Sequence, residues 1–216
     1  MIKKNFQKRV LTSLILFILV FLMINFKLIS TYVIIVFGVM ASLEFLQISK
    51  KIFSKVFFRF LANIVCLIYL FIFCFLFLFF SDQLYLKLIL YLIIFGCIAS
   101  DIGGFIFGKI FKGPKLTKIS PNKTYSGAIG SLILTIITMS FLFFYIIKYL
   151  SIEIIIVSFM TSIFCQLGDL LFSYLKRRAK QKDTGNIFPG HGGVLDRLDG
   201  IFLGLPSGLI TMLLIT

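Results

Sequence analysis

The chain is 216 residues long, and 60% of these residues are hydrophobic while only 14% are charged. A soluble globular domain typically has about 45–50% apolar and about 25% charged residues. The composition therefore excludes a disordered chain, a collagen-like repeat and an ordinary water-soluble globule, and it indicates that lipid covers much of the surface. The net charge of +14 leaves two explanations open at this point, nucleic-acid binding and the basic loops of a membrane protein.

Apolar runs long enough to cross a bilayer recur along the whole chain, since a spanning helix needs roughly 20 predominantly apolar residues. They lie at about residues 10–26, 28–47, 60–80, 86–108, 127–147, 152–174 and 198–216. We therefore predict an all-α fold, a polytopic membrane helix bundle with about seven transmembrane helices. The first run is longer than a signal-peptide core and no small-x-small cleavage site follows it, so we expect an uncleaved helix. The four cysteines lie in apolar runs and are expected to be buried and reduced.

The distribution of Lys and Arg predicts how these helices are oriented. If the N-terminus is cytoplasmic, the connections on that side carry 19 of the 22 basic residues, and the opposite side carries only Lys27, Lys87 and Lys148. Basic loops remain in the cytoplasm. The split predicts a cytoplasmic N-terminus, and it makes topology rather than nucleic acid the explanation of the positive charge.

Acidic residues are scarce, and most of the eight fall near the predicted cytoplasmic ends of the spans. Glu44, inside the second span, is expected to be a buried partner of a Lys, an interfacial group or a functional residue, because an ionisable side chain in a span is costly. On the sixth span Asp169 lies seven residues before Lys176, about 10 Å deeper in the membrane. The polar stripe that they share predicts either a functional site or a structural ion pair.

The segment after the sixth span, from Lys176 to Asp199, has an unusual composition. It holds six bases, three acids, four glycines and His191, the single histidine of the chain, within 24 residues. Glycines let a backbone approach an anion closely, and Mg²⁺ prefers carboxylate oxygens together with substrate phosphates. The segment therefore predicts a cytoplasm-facing phosphate and metal site, and the alternative is a basic loop with a glycine turn and no chemistry.

The connection between the fourth and fifth spans is the second polar segment. Asp101 precedes a helix face with regularly spaced glycines. Ser120 and Pro121 predict a helix start, with Pro in the first turn. Lys123 and Thr124 would then lie at a positive helix end, where phosphate is favoured.

The stretch from Ser173 to Asp199 resembles the signature of the phosphatidate cytidylyltransferase (CDP-diacylglycerol synthase) family. The fixed positions of that signature are matched by Ser173, Lys176, Arg177, Lys182, Asp183, Gly185, Phe188, Pro189, His191, Gly192, Gly193, Asp196, Arg197 and Asp199. Residues 168–173, 101–108 and 120–124 are similar to further motifs of the family, so the resemblance covers about residues 100–200. One departure is Ser126, where the family usually has Glu, and this substitution puts the role of that acid in doubt for this chain.

The resemblance implies a nucleotidyltransferase that converts CTP and phosphatidate to CDP-diacylglycerol and pyrophosphate in phospholipid biosynthesis. It implies that Asp169 and Asp196 are catalytic and bind Mg²⁺ or another divalent cation, and that Lys176 and Arg177 are catalytic groups that hold phosphates. His191 either assists phosphate binding or only shapes the glycine turn. The implied substrate-binding residues are Ser173, Lys123, Asp183, His191, Arg197, Asp199 and Asp101.

The expected partners are CTP, phosphatidate and the bilayer, with no nucleic acid, and the resemblance also implies a homodimer. The expected location is the cell (inner) membrane, with several spans and an active site that faces the cytoplasm. We predict N-terminal transmembrane helices over residues 1–95 and a motif-bearing catalytic membrane domain over 96–216, within one membrane-embedded unit. Two alternatives stay open: a CTP-dependent polyprenol or phytol-type lipid kinase, and a non-enzymatic transporter.

Overall fold

A computed structural model shows an all-α protein, as the sequence predicts. It describes residues 2–117, 119–185, 187 and 192–215, with side chains from residue 12 onward. The helices are α1 (Ile2–Asn25), α2 (Lys27–Ile52), α3 (Val56–Asp82), α4 (Leu84–Phe111), α5 (Tyr125–Ile147), α6 (Ile152–Arg178) and α7 (Leu195–Ile215). Within these described ranges Lys115 and Thr124 form an isolated antiparallel bridge.

Six of these helices, α2 to α7, are long and apolar enough to cross a membrane. Their large exposed side chains are mostly Phe, Ile and Leu, as expected for a surface covered by lipid. The chain is thus a multi-pass membrane protein. In α1 the side chains are described only over Thr12–Asn25, so the seventh predicted span and the orientation of the N-terminus stay predictions.

The start of α5 differs from the sequence prediction. Residues 121 and 122 form a turn, and the helix begins at Tyr125. Thr124 is the N-cap, and its hydroxyl accepts a hydrogen bond from the backbone N–H of Gly127 at 3.1 Å. The predicted start at Ser120 and Pro121 is therefore wrong by about one helical turn.

The chain groups into two compact units that are not contiguous in sequence. The first unit contains residues 1–83 and 175–198, and the second contains residues 84–174 and 199–216. Both α6 and α7 contribute residues to each unit. The predicted division into residues 1–95 and 96–216 is based on where the sequence motifs lie, whereas the two compact units are defined by contacts between residues. The predicted division stays a prediction.

In the first unit, α2 packs against both α1 and α3. Gly38 of α2 provides room for the Cys74 side chain of α3, since a Cβ at that glycine would lie 2.8 Å from the sulfur. Lys27, at the start of α2, forms an exposed ion pair with Asp82, at the end of α3. This contact places the beginning of α2 and the end of α3 on the same side, as alternating spans require.

In the second unit, small residues allow α4 and α5 to pack closely. A Cβ at Gly96 would collide with the side chain of Met139, and one at Gly103 would collide with the backbone of Gly130. Small residues at such positions are typical of helices that associate inside a membrane, because they let the backbones approach. The result is a tightly packed helix pair from which Asp101 and the segment after α4 extend.

Candidate active site

The signature segment of the first unit is built around a buried ion pair between Lys176 and Asp196. Lys176 lies in the last turn of α6, and Asp196 lies in the first turn of α7. The Lys176 Nζ is 2.8 Å from the Asp196 Oδ1, and the two side chains are only 12% and 5% exposed. The pair brings together two of the four residues that we predicted to be catalytic.

The second oxygen of Asp196 is held by the loop that precedes α7. Its Oδ2 accepts hydrogen bonds from the backbone N–H groups of Thr184 at 2.7 Å and Gly193 at 3.0 Å. The Thr184 hydroxyl lies 3.0 Å from the same oxygen. Backbone donors fix a carboxylate more rigidly than long side chains do, so the orientation of Asp196 is set by the loop.

Glu44 takes part in this arrangement, which the sequence alone did not predict. It comes from α2 and is 3% exposed. Its partners are the backbone N–H groups of Val194 and Leu195 and the hydroxyl of Thr184. The expectation of a Lys partner is therefore wrong, and the expected interfacial position stays a prediction. The sequence did contain a signal for this contact. A carboxylate inside a span is costly unless several hydrogen-bond donors surround it, and the unpaired N–H groups at a helix N-terminus are such donors.

Three glycines of the signature are explained by this packing. Gly192 has a φ of +86°, which is a left-handed conformation, and a Cβ there would lie 2.6 Å from the Asp196 Oδ2. A Cβ at Gly193 would overlap the Glu44 carboxylate, and one at Gly185 would lie 2.7 Å from it. The glycines thus make room for two carboxylates beside the loop backbone.

A second group of charged residues lies in the second unit. Lys123, just before α5, forms an ion pair with Asp169 of α6, and the two side chains are 23% and 33% exposed. Asp169, Asp199 and Lys123 all interact electrostatically with Asp101 of α4. Asp101 thus faces two further carboxylates together with the ammonium of Lys123, so negative charge is in local excess around it.

The other predicted site residues are placed as follows. Ser173 is half-buried on α6, and Arg177 and Asp183 are exposed. Arg197 is exposed on α7. His191 lies outside the described residues, so its predicted role stays a prediction. Ser126 is half-buried and packs against the segment after α4, where its hydroxyl accepts from the Gly113 N–H at 3.3 Å and lies 3.0 Å from the Thr124 hydroxyl.

The structure pairs each predicted metal ligand with a lysine, Asp169 with Lys123 and Asp196 with Lys176. The residues that it describes hold no cluster of three or more His, Cys, Asp or Glu in metal-ligand geometry. Asp169 belongs to one compact unit and Asp196 to the other, so the predicted convergence of their carboxylates on one cation stays a prediction.

Comparisons with known proteins agree with the resemblance. The model of the cytidylyltransferase family matches residues 1–215. The chain is 37% identical to a phosphatidate cytidylyltransferase of Staphylococcus haemolyticus over 180 residues, which is 81% of this chain and 67% of that protein. It is 35% identical to one of Staphylococcus aureus over the same shares of both chains. It is also 40% identical to one of Helicobacter pylori over 119 residues, which is 55% of this chain and 44% of that protein.

Proposed function

The chain belongs to the cytidylyltransferase family, and we propose that it transfers the cytidylyl group of CTP to phosphatidate, forming CDP-diacylglycerol and pyrophosphate. The observation that carries this proposal is the ion pair of Lys176 and Asp196 at the glycine-lined loop. It sets a cation and a carboxylate side by side at the ends of two membrane helices. The ammonium can bind a phosphate group, and the carboxylate can bind the metal ion that accompanies a polyphosphate.

The chemistry requires no nucleophile from the protein. An oxygen of the phosphatidate phosphate attacks the α-phosphorus of CTP, the bond from that phosphorus to the bridging oxygen of the β-phosphate breaks, and pyrophosphate leaves. The protein contributes positioning and neutralisation of charge, as in phosphoryl transfer generally. Lys176 and Arg177 hold phosphate oxygens, and Ser173, on the same helix, donates a hydrogen bond to them.

The remaining residues of the predicted substrate site are also proposed to position the substrates and neutralise their charge. Lys123 is well placed to hold a phosphate, because its ammonium is only partly exposed and a phosphate there is poorly screened by water. Asp101, Asp183, Asp199 and Arg197 are proposed to bind substrate groups, and His191 is proposed to bind phosphate or to shape the glycine turn.

The donor chemistry of the site suits Mg²⁺, with Asp169 and Asp196 as the residues that would hold it. The Asp196 Oδ1 accepts from the flexible ammonium of Lys176, whereas Oδ2 is held by backbone N–H groups. The backbone bonds to Oδ2 would keep Asp196 oriented while it held the cation. Bound Mg²⁺ would neutralise the charge of the CTP phosphates and of the departing pyrophosphate.

The setting proposed for this reaction is the cell (inner) membrane, with the site facing the cytoplasm. The excess of Lys and Arg in the connections that hold the site residues supports this orientation. The substrates also favour it, because CTP is polar and phosphatidate is held in the bilayer. A homodimer is part of the proposal through the family resemblance alone.

Isotope labelling tests the proposed reaction. The purified protein, in mixed micelles with phosphatidate and Mg²⁺, should move the label of α-³²P-CTP into lipid and the label of γ-³²P-CTP into pyrophosphate. The variant Lys176→Met is the matched negative control. Transfer of the γ-label to a lipid alcohol would instead identify a kinase, and no transfer of either label to lipid or pyrophosphate would refute the proposal.

A further inference from the structure

Glu44 is a buried acid to which the proposed reaction assigns no role. Its carboxylate lies beside the N-terminus of α7, where Oε1 accepts from the Val194 N–H at 2.9 Å and Oε2 accepts from the Leu195 N–H at 2.9 Å. The first backbone N–H groups of a helix have no partner within the helix. Glu44 therefore caps α7 from a different helix, with a full negative charge at the positive end of the helix dipole.

Thr184 connects Glu44 to Asp196. Its hydroxyl lies 2.7 Å from the Glu44 Oε2 and 3.0 Å from the Asp196 Oδ2, and its backbone N–H donates to Asp196. A hydroxyl has one proton and donates to one of these carboxylates at a time. One residue of the loop is thus held between the two acids, and a displacement of Glu44 changes the donors that orient Asp196.

The glycines of the loop also fit around Glu44. A Cβ at Gly193 would meet both carboxylate oxygens of Glu44, and one at Gly185 would lie 2.7 Å from Oε1. A carboxylate with only 3% exposure and both oxygens engaged has no free face for a substrate. Glu44 is therefore suited to organise the loop and is not suited to touch CTP or lipid.

We propose that Glu44 is a positioning residue for the cytidylyl transfer: from α2 it fixes the start of α7 and Thr184, so that Asp196 and Lys176 keep their working geometry. This inference rests on the proposed function. It gives the N-terminal helices, which carry none of the signature residues, a defined part in the reaction.

The variant Glu44→Gln tests this role with little change of shape. Its amide has one acceptor oxygen and one NH₂ group, so in either orientation the NH₂ faces the N–H of Val194 or Leu195 and one backbone donor loses its partner. Loss of a hydrogen bond to a charged group weakens the hold of residue 44 on the start of α7. We expect turnover to fall about 10- to 100-fold, and the Mg²⁺ concentration for half-maximal activity to rise.

Two controls separate positioning from a general loss of stability. Glu153→Gln removes a carboxylate from the first turn of α6 and should leave turnover and Mg²⁺ dependence unchanged. Thr184→Val removes the bridging hydroxyl and should reproduce the Mg²⁺ shift, whereas Thr184→Ser should restore wild-type behaviour. These Thr184 variants keep the test decisive if Glu44→Gln fails to fold.

Hydrogen exchange measured by mass spectrometry provides a readout that does not depend on the reaction. Amides in the peptide covering residues 192–198 should exchange faster in Glu44→Gln than in the wild type, while those of α4 and α5 should not change. The proposal is overturned if the folded variant keeps wild-type turnover and Mg²⁺ dependence, or if residues 192–198 exchange as in the wild type. If the wild type itself makes no CDP-diacylglycerol, the proposed reaction fails, and the exchange result still decides the structural role of Glu44.

Discussion

The ion pair of Lys176 and Asp196 allows a quantitative test of the site. Its side chains are 12% and 5% exposed, so water screens the interaction weakly. Removing one partner of a buried pair leaves an uncompensated charge and costs about 3–5 kcal/mol. We therefore expect Lys176→Met and Asp196→Asn each to lower the free energy of unfolding by about that amount. The double variant should cost less than the sum, with a coupling energy of up to about 3 kcal/mol.

The exposed pair of Lys27 and Asp82 is a matched control in the same unit. Its side chains are 66% and 59% exposed, and exposed pairs typically contribute about 0.2–1 kcal/mol. The variants Lys27→Met, Asp82→Asn and their combination should therefore be nearly additive. Each pair thus gives a double-mutant cycle of wild type, two single variants and the double variant. The free energy of unfolding of each protein is measured by denaturant titration in one mild detergent, with circular dichroism as the signal. Cytidylyl transfer is assayed on the same samples.

The two cycles can refute this interpretation. If the Lys176–Asp196 cycle is additive within about 0.5 kcal/mol, or if it equals the Lys27–Asp82 cycle, the pair is not an interaction shielded from water. Restored transfer in the double variant would also contradict the proposed roles, because each charge is expected to act on the substrate or the metal as well as on its partner.

Three further predictions follow from the site and the topology. Asp169→Asn and Asp196→Asn should each nearly abolish transfer, and the double variant should be little worse than either single variant because the two carboxylates are proposed to act together. A chelator should stop the wild type, and Mg²⁺ should restore its activity. A folded single variant that keeps most of its activity would show that the carboxylate is not a required ligand. Ser126→Glu should retain activity within a few fold, because residue 126 lies in the first turn of α5, where a negative charge is favourable by about 0.3–1 kcal/mol; complete loss in a folded variant would show that the site depends on the serine. Single cysteines at Asp82 and Lys182, in a background without the native cysteines, should react with an impermeant maleimide from opposite sides of the membrane, and labelling from the same side would overturn the predicted topology.

The helices were predictable from the sequence, because a run of about 20 apolar residues in lipid has few structures other than a helix. The start of α5 was not, because two segments satisfy the local rules for a helix start. The choice is made by backbone pairing with the segment after α4, where the Leu116 N–H donates to the Lys123 carbonyl at 2.8 Å and the Tyr125 N–H donates to the Pro114 carbonyl at 3.1 Å. These bonds keep residues 123 and 124 extended until the cap at Thr124.

The candidate site was predictable where its residues follow one another along the chain. Lys176 and Asp196 were identified from the spacing of the signature, and their contact shows that the segment between them folds back on itself. Glu44 could not be placed in the same way, because 151 residues separate it from Leu195. No helical periodicity connects an acid in the second helix with the amides that begin the seventh, so only the folded structure reveals this contact.

The distance along the chain between Glu44 and its donors has a consequence for biosynthesis. A ribosome adds about 5–20 residues per second, so α2 is made roughly 8–30 s before Val194 and Leu195 emerge. During that interval α2 enters the membrane with an acid whose partners do not yet exist, and an ionisable residue without partners in a span is costly. The apolar residues of α2, which is long and apolar enough to cross a membrane, have to compensate this cost. The first unit can therefore be completed only after the translation of α7 has begun, which makes its assembly a late, post-insertional event.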